Sequence, residues 1–402
     1  MSQLWRLFLA AFLITTGAAQ AQVCRPVIEY LHAPANPCLG SARVRIAAAG
    51  DVLLHRPLQR RGYAGDGFRN LWAAVEPYFK AADIAYANLE GPVAAGITRG
   101  HNQVTDPGPV FDDRVYSSFP LFNYHASVLA ALKASGITLV STANNHALDR
   151  GPIGVDKTIA ALRAANLPFT GTIQTGGPRD FVTYTDTALG RIAWIACSYS
   201  TNGLPDPNAQ TLLCYDNRAE LLGLVSAEAT RADTAAVIVT PHWGYEYSHT
   251  PNANQRELAT QLAGAGATAV IGTHPHVVQP MRYLPGPNGQ QSLIAYSTGN
   301  FVSGQVKLPR RTGALAWIEL CRAAPPRDLT QAFGAQLAVA HAGAVPIMMT
   351  RTAQGPELIL PKQGDTRLAG QALRLVNRHI PDPGLRAAIS CEKPDTTLIA
   401  LQ

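Results

Sequence analysis

Short apolar runs alternate with helical stretches along most of the chain. Val44-Arg45-Ile46-Ala47-Ala48-Ala49, Ile84–Ala87, Ile137-Thr138-Leu139-Val140, Val237-Ile238-Val239 and Ala269-Val270-Ile271 are short, apolar and mostly β-branched, and such runs read as buried strands. Phe68 to Ala81 sets Leu71, Trp72, Val75, Tyr78 and Phe79 at helical spacing. Tyr124–Ser135, Ile153–Ala165 and Asn252–Ala265 also predict helices, the first and last stopped by Gly136 and Gly266. Strands are expected at Arg191–Tyr199 and Gln291–Ser297. A β-rich tail follows, with Leu315–Leu320, Gln336–His341, Pro346–Thr350 and Glu357–Leu360 separated by short turns. Residues 91–123 hold Gly, Pro, Asp and Asn without periodicity, which predicts a long loop of the functional or mobile kind. The pattern fits an α/β fold of two packed sheets flanked by helices. Ala-Ala-Pro-Pro at 323–326 reads as a loop, because the strands after it complete the second sheet.

Polar residues follow these runs. The segments are Gly50-Asp51, Asn88-Leu89-Glu90, Asn144-Asn145-His146, the stretch from His242 to Tyr247, His274-Pro275-His276 and Gly299-Asn300. Residues at the carboxyl ends of neighbouring strands converge on one rim of a sheet. Carboxylate, amide and imidazole groups meeting there suit a hard or borderline cation such as Mn, Fe or Zn. Gly50 lets the backbone turn sharply before Asp51. His274 and His276 are two apart and, in an extended segment favoured by Pro275, point to one side. Each residue alone has a plainer explanation. An Asp after a strand makes turns, Asn144-Asn145 is a good turn pair, and a lone His is more often structural. The series reverses that preference.

The series is similar to the CapA family of capsule and poly-γ-glutamate synthesis proteins, a branch of the calcineurin-like metallophosphoesterases. The wider pattern is Asp-x-His, Gly-Asp, Gly-Asn-His-Glu/Asp, His, then Gly-His-x-His. Asp51, Glu90, Asn145-His146, His242 and His274-x-His276 occupy those places in order, and Asn144 to Gly151, His242 to Tyr247 and Gly299-Asn300-Phe301-Val302 resemble branch-specific words. The likeness runs from about Arg43 to Gln305. It implies a metallophosphoesterase-like two-sheet sandwich. It also implies that Asp51, Glu90, Asn145, His242, His274 and His276 hold one or two divalent cations, with Glu90 in the bridging place. His146 would be the general acid, oriented by Asp149. Asn88, Asn144, Glu246, Gln279 and Asn300 are expected around the pocket. The Asp-x-His word is broken: position 53 is Leu53 in place of the His that the CapA branch generally lacks, and His55 lies two residues further on. That departure puts a complete two-metal site in question. Arg56 is free to serve an anionic substrate.

The formal charge of +6 is spread without a Lys/Arg run, unlike the clustered basic face of a nucleic-acid protein. It can still attract acidic polymers. Arg6, the apolar stretch Leu7 to Thr15 and Ala19-Gln20-Ala21 make residues 1–21 a secretory signal peptide. The expected organisation is that peptide, a disulfide-pinned irregular lead-in over 22–42, and one domain over 43–402. Six cysteines in an exported chain predict disulfides. Short-loop closure favours Cys24–Cys38 and Cys197–Cys214, leaving Cys321–Cys391. The leading expectation is an exported, periplasmic or secreted metal-dependent hydrolase. Its substrate would be an anionic envelope polymer or a phosphoester, and its partner a membrane polymer-synthesis complex. A non-catalytic polymer-binding or assembly factor is the alternative from another class. A secreted phosphoesterase or nucleotidase is weaker, since no separate nucleotide-binding domain with an aromatic clamp is visible.

Overall fold

A computed structural model describes residues 23–65, 67–324, 336–362 and 366–392. The expected signal peptide lies outside these residues. The chain builds a first sheet, leaves it for a second, and returns. β1 (Val23–Tyr30) precedes β2 (Cys38–Leu53), which is followed by α1 (Arg56–Tyr63), α2 (Glu76–Ala81) and β3 (Ile84–Leu89). After the long loop come α3 (Ser127–Ala134), β4 (Leu139–Ser141), α4 (Gly151–Ala164) and β5 (Phe169–Thr170). β2, β3, β4 and β5 lie side by side and parallel. The second sheet is made by β6 (Val182–Thr187), β7 (Gly190–Ser198), β8 (Thr234–His242), β9 (Ala269–Ile271), β10 (Met281–Pro285) and β11 (Gln291–Ala295). α5 (Arg218–Thr230) and α6 (Ala253–Gly264) connect its strands. The return is through β12 (Asn300–Ser303), α7 (Leu308–Arg311), β13 (Thr312–Ala323), β14 (Leu337–Thr352) and β15 (Gly355–Ile359). α8 (Arg367–His379) and β16 (Leu385–Glu392) follow. β13, β14 and β15 extend the first sheet beyond β2, so the β-rich tail completes that sheet and not the second.

Successive residues of β2 are buried on opposite faces, which is why its sequence is apolar without alternation. Ile46 and Ala48 join Tyr86, Trp194, Ile238 and Ile271 between the two sheets. Ala47 and Ala49 join Trp72, Phe79 and Leu129 under the helices. Tyr86 and Trp194 stack across the inter-sheet layer at 5.7 Å. Trp194 is completely buried, and its truncation to Ala would cost ~3–5 kcal/mol. The second sheet packs its outer face on α5 and α6 through Leu221, Val225, Leu258 and Leu262.

Three further expectations need correction. The helix predicted over 68–81 is two short 3₁₀ turns followed by α2. Pro77 sits in the first turn of α2, and its missing N–H starts a helix but cannot continue one. The lead-in expected to be irregular over 22–42 holds strand at both ends of its described residues. β1 pairs antiparallel with β16, and β2 begins at Cys38. The bridges there are Cys24–Cys391 and Cys38–Cys321, replacing Cys24–Cys38 and Cys321–Cys391. Both join paired strands, with Cys24 opposite Cys391 and Cys38 beside Ala323. Sheet register brings the sulfurs together, and the cost of closing a loop grows only logarithmically with its length. Cys197–Cys214 forms as expected.

Candidate metal centre

β2, β3, β8 and β12 deliver their last or first residues to one rim. Asp51 lies beside Asn88 of β3 on one side and Asn300 of β12 on the other. The role of Gly50 is close approach: a Cβ there would lie 1.8 Å from the Gly299 carbonyl oxygen, the atom that accepts from the Asp51 N–H at 3.2 Å. Any side chain at position 50 would push β12 off β2. Asp51 accepts from Asn88 Nδ2 at 2.8 Å and from the His276 ring at 3.0 Å. Glu90 Oε1 lies 3.5 Å from His242 Nε2 and 3.8 Å from His276 Nε2. Ligand atoms of Glu90, His274 and His276 all fall within 4.8 Å of one another, and all three residues are buried. His242 also meets Asn145 Oδ1 at 2.9 Å and Thr273 Oγ1 at 3.0 Å. All six residues read as ligands therefore converge, with Glu90, His274 and His276 tightest.

The His-Pro-His segment is not extended. His274 has φ 95 and His276 φ 57, so both sit in the left-handed region. Such conformations in residues with a Cβ cost of order 1–3 kcal/mol and persist where the surroundings enforce them. The two rings still converge, with centroids 5.8 Å apart, because the double reversal folds both toward Asp51 and Glu90.

The electrostatics of the cluster suit a cation. Both Glu90 carboxylate oxygens are buried and have no hydrogen-bond partner among the described residues, and neither has His274 Nδ1. Burial, reinforced by Asp51, Glu246 and Asp149, pushes the Glu90 carboxyl well above its usual range. Burial and neighbouring imidazoles push His242 and His274 well below theirs. Neutral imidazoles around an unpartnered carboxylate fit a divalent cation and have no inexpensive structural use.

His146 lies beside this cluster. Its Nδ1 is 2.8 Å from Asp149 Oδ2, which also accepts from the Phe122 N–H at 2.6 Å. The Phe122 ring stands edge-on to His146 at 4.8 Å. The long loop over 91–123 thus forms one wall of the site. Arg150 holds it there, bonding the Ile97 and Val115 carbonyls and Ser117 Oγ.

The other expected residues divide. Asn88 bonds Asp51 and His242, and Asn144 bonds the Leu89 carbonyl at 2.8 Å. Asn300 reaches the His276 carbonyl at 3.4 Å. Glu246 is exposed and acts on Glu90 through its charge. Gln279 bonds Gln255 and the Ser248 carbonyl, tying the loop after His242 to α6, and has no hydrogen bond to any of the six ligand candidates among the described residues. Arg56 is not free: it lies 3.7 Å from Asp113 and over the Phe111 ring. Leu53 is buried in the core, and His55 is engaged by the Gly304 N–H and packed on Phe122. Tyr199 was passed over by sequence reasoning. It follows β7, its ring lies 4.3 Å from that of His274 at a tilt of 34°, and it donates its N–H to the His242 carbonyl. Its position at the end of a predicted strand, on the same rim as His242, was the available signal.

Known proteins resemble this chain over much of its length. The PGA biosynthesis protein CapA of Bacillus subtilis is 28% identical over 280 residues, covering 67% of this chain and 66% of that protein. The capsule biosynthesis protein CapA of Bacillus anthracis is 26% identical over 275 residues, covering 65% and 60%. The matches thus span somewhat less than two thirds of those relatives' own lengths. Among solved structures, the NAD nucleotidase of Haemophilus influenzae aligns with TM-score 0.46 and 10% identity, covering 83% of this chain and 56% of that one. The family model described as bacterial capsule synthesis protein PGA_cap matches residues 45–305, well over half of the chain, and the chain belongs to that family.

Proposed function

We propose that the protein is an exported metal-dependent hydrolase that acts on an anionic cell-envelope polymer, in capsule or poly-γ-glutamate production. The observation that carries this reading is the buried Glu90 carboxylate, unpartnered among three imidazoles, with a carboxylate-oriented histidine beside it. Glu90, His274 and His276, with Asp51, His242 and Asn145, would hold one or two divalent cations, of which Mn, Fe and Zn suit the donor set. A cation there supplies charge stabilisation for a developing oxyanion and lowers the pKa of water. Asp149 fixes the His146 ring through Nδ1, leaving Nε2 to carry the proton that the leaving oxygen takes as its bond breaks. The Phe122 N–H on the same carboxylate oxygen keeps Asp149 in place. Export rests on the Arg6, apolar, Ala-x-Ala order and agrees with three disulfides and no free cysteine among the described residues.

A polymer-binding assembly factor is the second reading, favoured by one observation: Leu53 stands where the wider pattern has a ligand histidine, and it is buried in the core. Metal analysis of the purified protein and a screen against phosphoesters and γ-glutamyl polymers separate the two. The hydrolase reading expects bound metal and turnover, with His146→Ala keeping the metal and losing roughly 10²–10⁴ in rate. A His146→Ala protein with full activity, or metal-loaded protein inert on both substrate classes, favours the assembly factor.

A further inference from the structure

Beside the metal pocket lies a cation that none of these residues uses. Arg310 sits in the short α7, immediately before β13. Its guanidinium carbon is 3.3 Å from the centre of the Tyr247 ring. At that distance the planar group must lie flat on the ring. The Tyr247 ring is in turn 6.1 Å from that of His276. Tyr247 is held in the left-handed region, at φ 66, and its N–H donates to the Pro275 carbonyl at 2.7 Å. The ring is therefore pinned to the segment that carries His274 and His276. The Arg310 carbonyl accepts from Asn300 Nδ2 at 2.8 Å, and Asn300 is the strand neighbour of Asp51. Backbone and side chain of Arg310 are both tied to the rim of the site.

Despite this anchoring, no carboxylate or carbonyl among the described residues accepts from its guanidinium. The wall built by the 91–123 loop differs. There Arg56 and Arg99 share Asp113, at 3.7 and 2.6 Å, and much of their charge is answered. A guanidinium held flat on an aromatic face keeps its edge donors available while losing rotational freedom. That is the pre-organisation that bidentate binding of carboxylate or phosphate requires.

We infer that Arg310 and Tyr247 form a subsite for a second anionic group of the substrate, a carboxylate or phosphate adjacent to the group at the metal pocket. The substrate class is then a polyanionic chain and not a singly charged ester. This rests on the metal pocket acting as proposed above. A purely structural role, in which the stack only closes the lip, predicts no preference for chains.

The test is calorimetric titration of metal-loaded wild type, Arg310→Gln, Arg310→Lys and Arg386→Gln. Arg386 lies on the separate β1–β16 ribbon and removes the same charge elsewhere. The probes are a γ-glutamyl oligomer, a linear polyphosphate of similar charge, free glutamate and inorganic phosphate. Arg310→Gln is expected to weaken at least one oligomer by roughly tenfold, the order of a partly exposed charge-assisted pair, while its metal content stays at the wild-type level. The oligomer affected identifies carboxylate or phosphate. Arg310→Lys, which keeps the charge but not the fork, should fall between. The subsite is overturned if Arg310→Gln binds both oligomers as wild type does, if Arg386→Gln weakens them equally, or if the loss extends equally to the monomers. Wild-type protein that holds metal and binds neither oligomer overturns the polymer reading itself along with the subsite.

Discussion

Glu76 opens α2 and Glu90 follows β3, and both carboxylates are buried. Their surroundings are opposite. Arg69 donates to Glu76 through two nitrogens, at 2.7 and 2.6 Å, Lys80 adds a third bond at 2.8 Å and Ser135 a fourth at 3.0 Å. Burial pushes the Glu76 carboxyl up, but those bonds outweigh it and hold the group at about 2. Glu90 has no donor at all among the described residues, and burial drives its carboxyl upward unopposed. The first carboxylate is a finished structural part. The second is a group that burial penalises and that no donor among the described residues offsets. Two of the histidine–aspartate pairs repeat the lesson. His32–Asp382 is as short as His146–Asp149, but its side chains are 59% and 64% exposed, against 7% and 0%. Of these two, the buried pair is the one beside the unpartnered carboxylate, where the Asp149 charge acts on Glu90.

The contrast can be broken in several ways. The largest effect should come from Glu90→Ala, which is expected to lower metal affinity by at least roughly 100-fold in a chelator competition, while Glu76→Ala leaves it within the error of the titration. Added metal at about 100 times its dissociation constant should then stabilise wild type by ~2.7 kcal/mol and leave Glu90→Ala unmoved in thermal melts. A Glu90→Ala protein that still gains from metal would move the binding site elsewhere.

Removing charge without removing volume sharpens the comparison further. Glu76→Gln should cost ~1–3 kcal/mol in denaturant unfolding, because Arg69 and Lys80 lose a charged acceptor. Glu90→Gln in metal-free protein should cost nothing or stabilise, since it removes a buried charge that nothing answers. Equal losses for both would end the distinction. The smallest effect is in pH. The folded value of Glu76 lies below the unfolded one, so its contribution is complete above about 4.5 and disappears as the pH falls toward 2. Glu90 has the opposite sign, its folded value being raised, so metal-free protein loses stability as the pH rises through the ordinary carboxylate range. Metal-free Glu90→Gln should therefore show a flatter stability profile from pH 4 upward than wild type, and a coincident pair of profiles would contradict the assignment.

Much of this arrangement was legible beforehand because strand ends are marked locally. Buried strands announce themselves as apolar runs, and the polar residue that ends each run is one or two positions away, so Asp51, Glu90, Asn145, His242, His274 and His276 could be named from the chain alone. What resisted was whatever depends on register or on a partner distant in sequence. The bridges Cys24–Cys391 and Cys38–Cys321 follow from β1 meeting β16 and β2 meeting β13. The helical periodicity over 68–81 was real, but Pro77 divides it. The left-handed turns at His274 and His276 were hidden because the period-2 argument assumes an extended backbone.

Arginine shows the division most plainly. Sequence adjacency to Asp51 favoured Arg56, whereas the fold pairs Arg56 with Asp113 and sets Arg310, far along the chain, against Tyr247 beside His276. The sequence by itself determined which residue types stand at the strand ends, because hydrophobic runs and the polar residues closing them are local properties of the chain. Only the tertiary structure decided which charges are answered and which are left open, because a charge is neutralised by whatever the folded backbone brings within a few ångströms, and that distance has no counterpart in sequence separation.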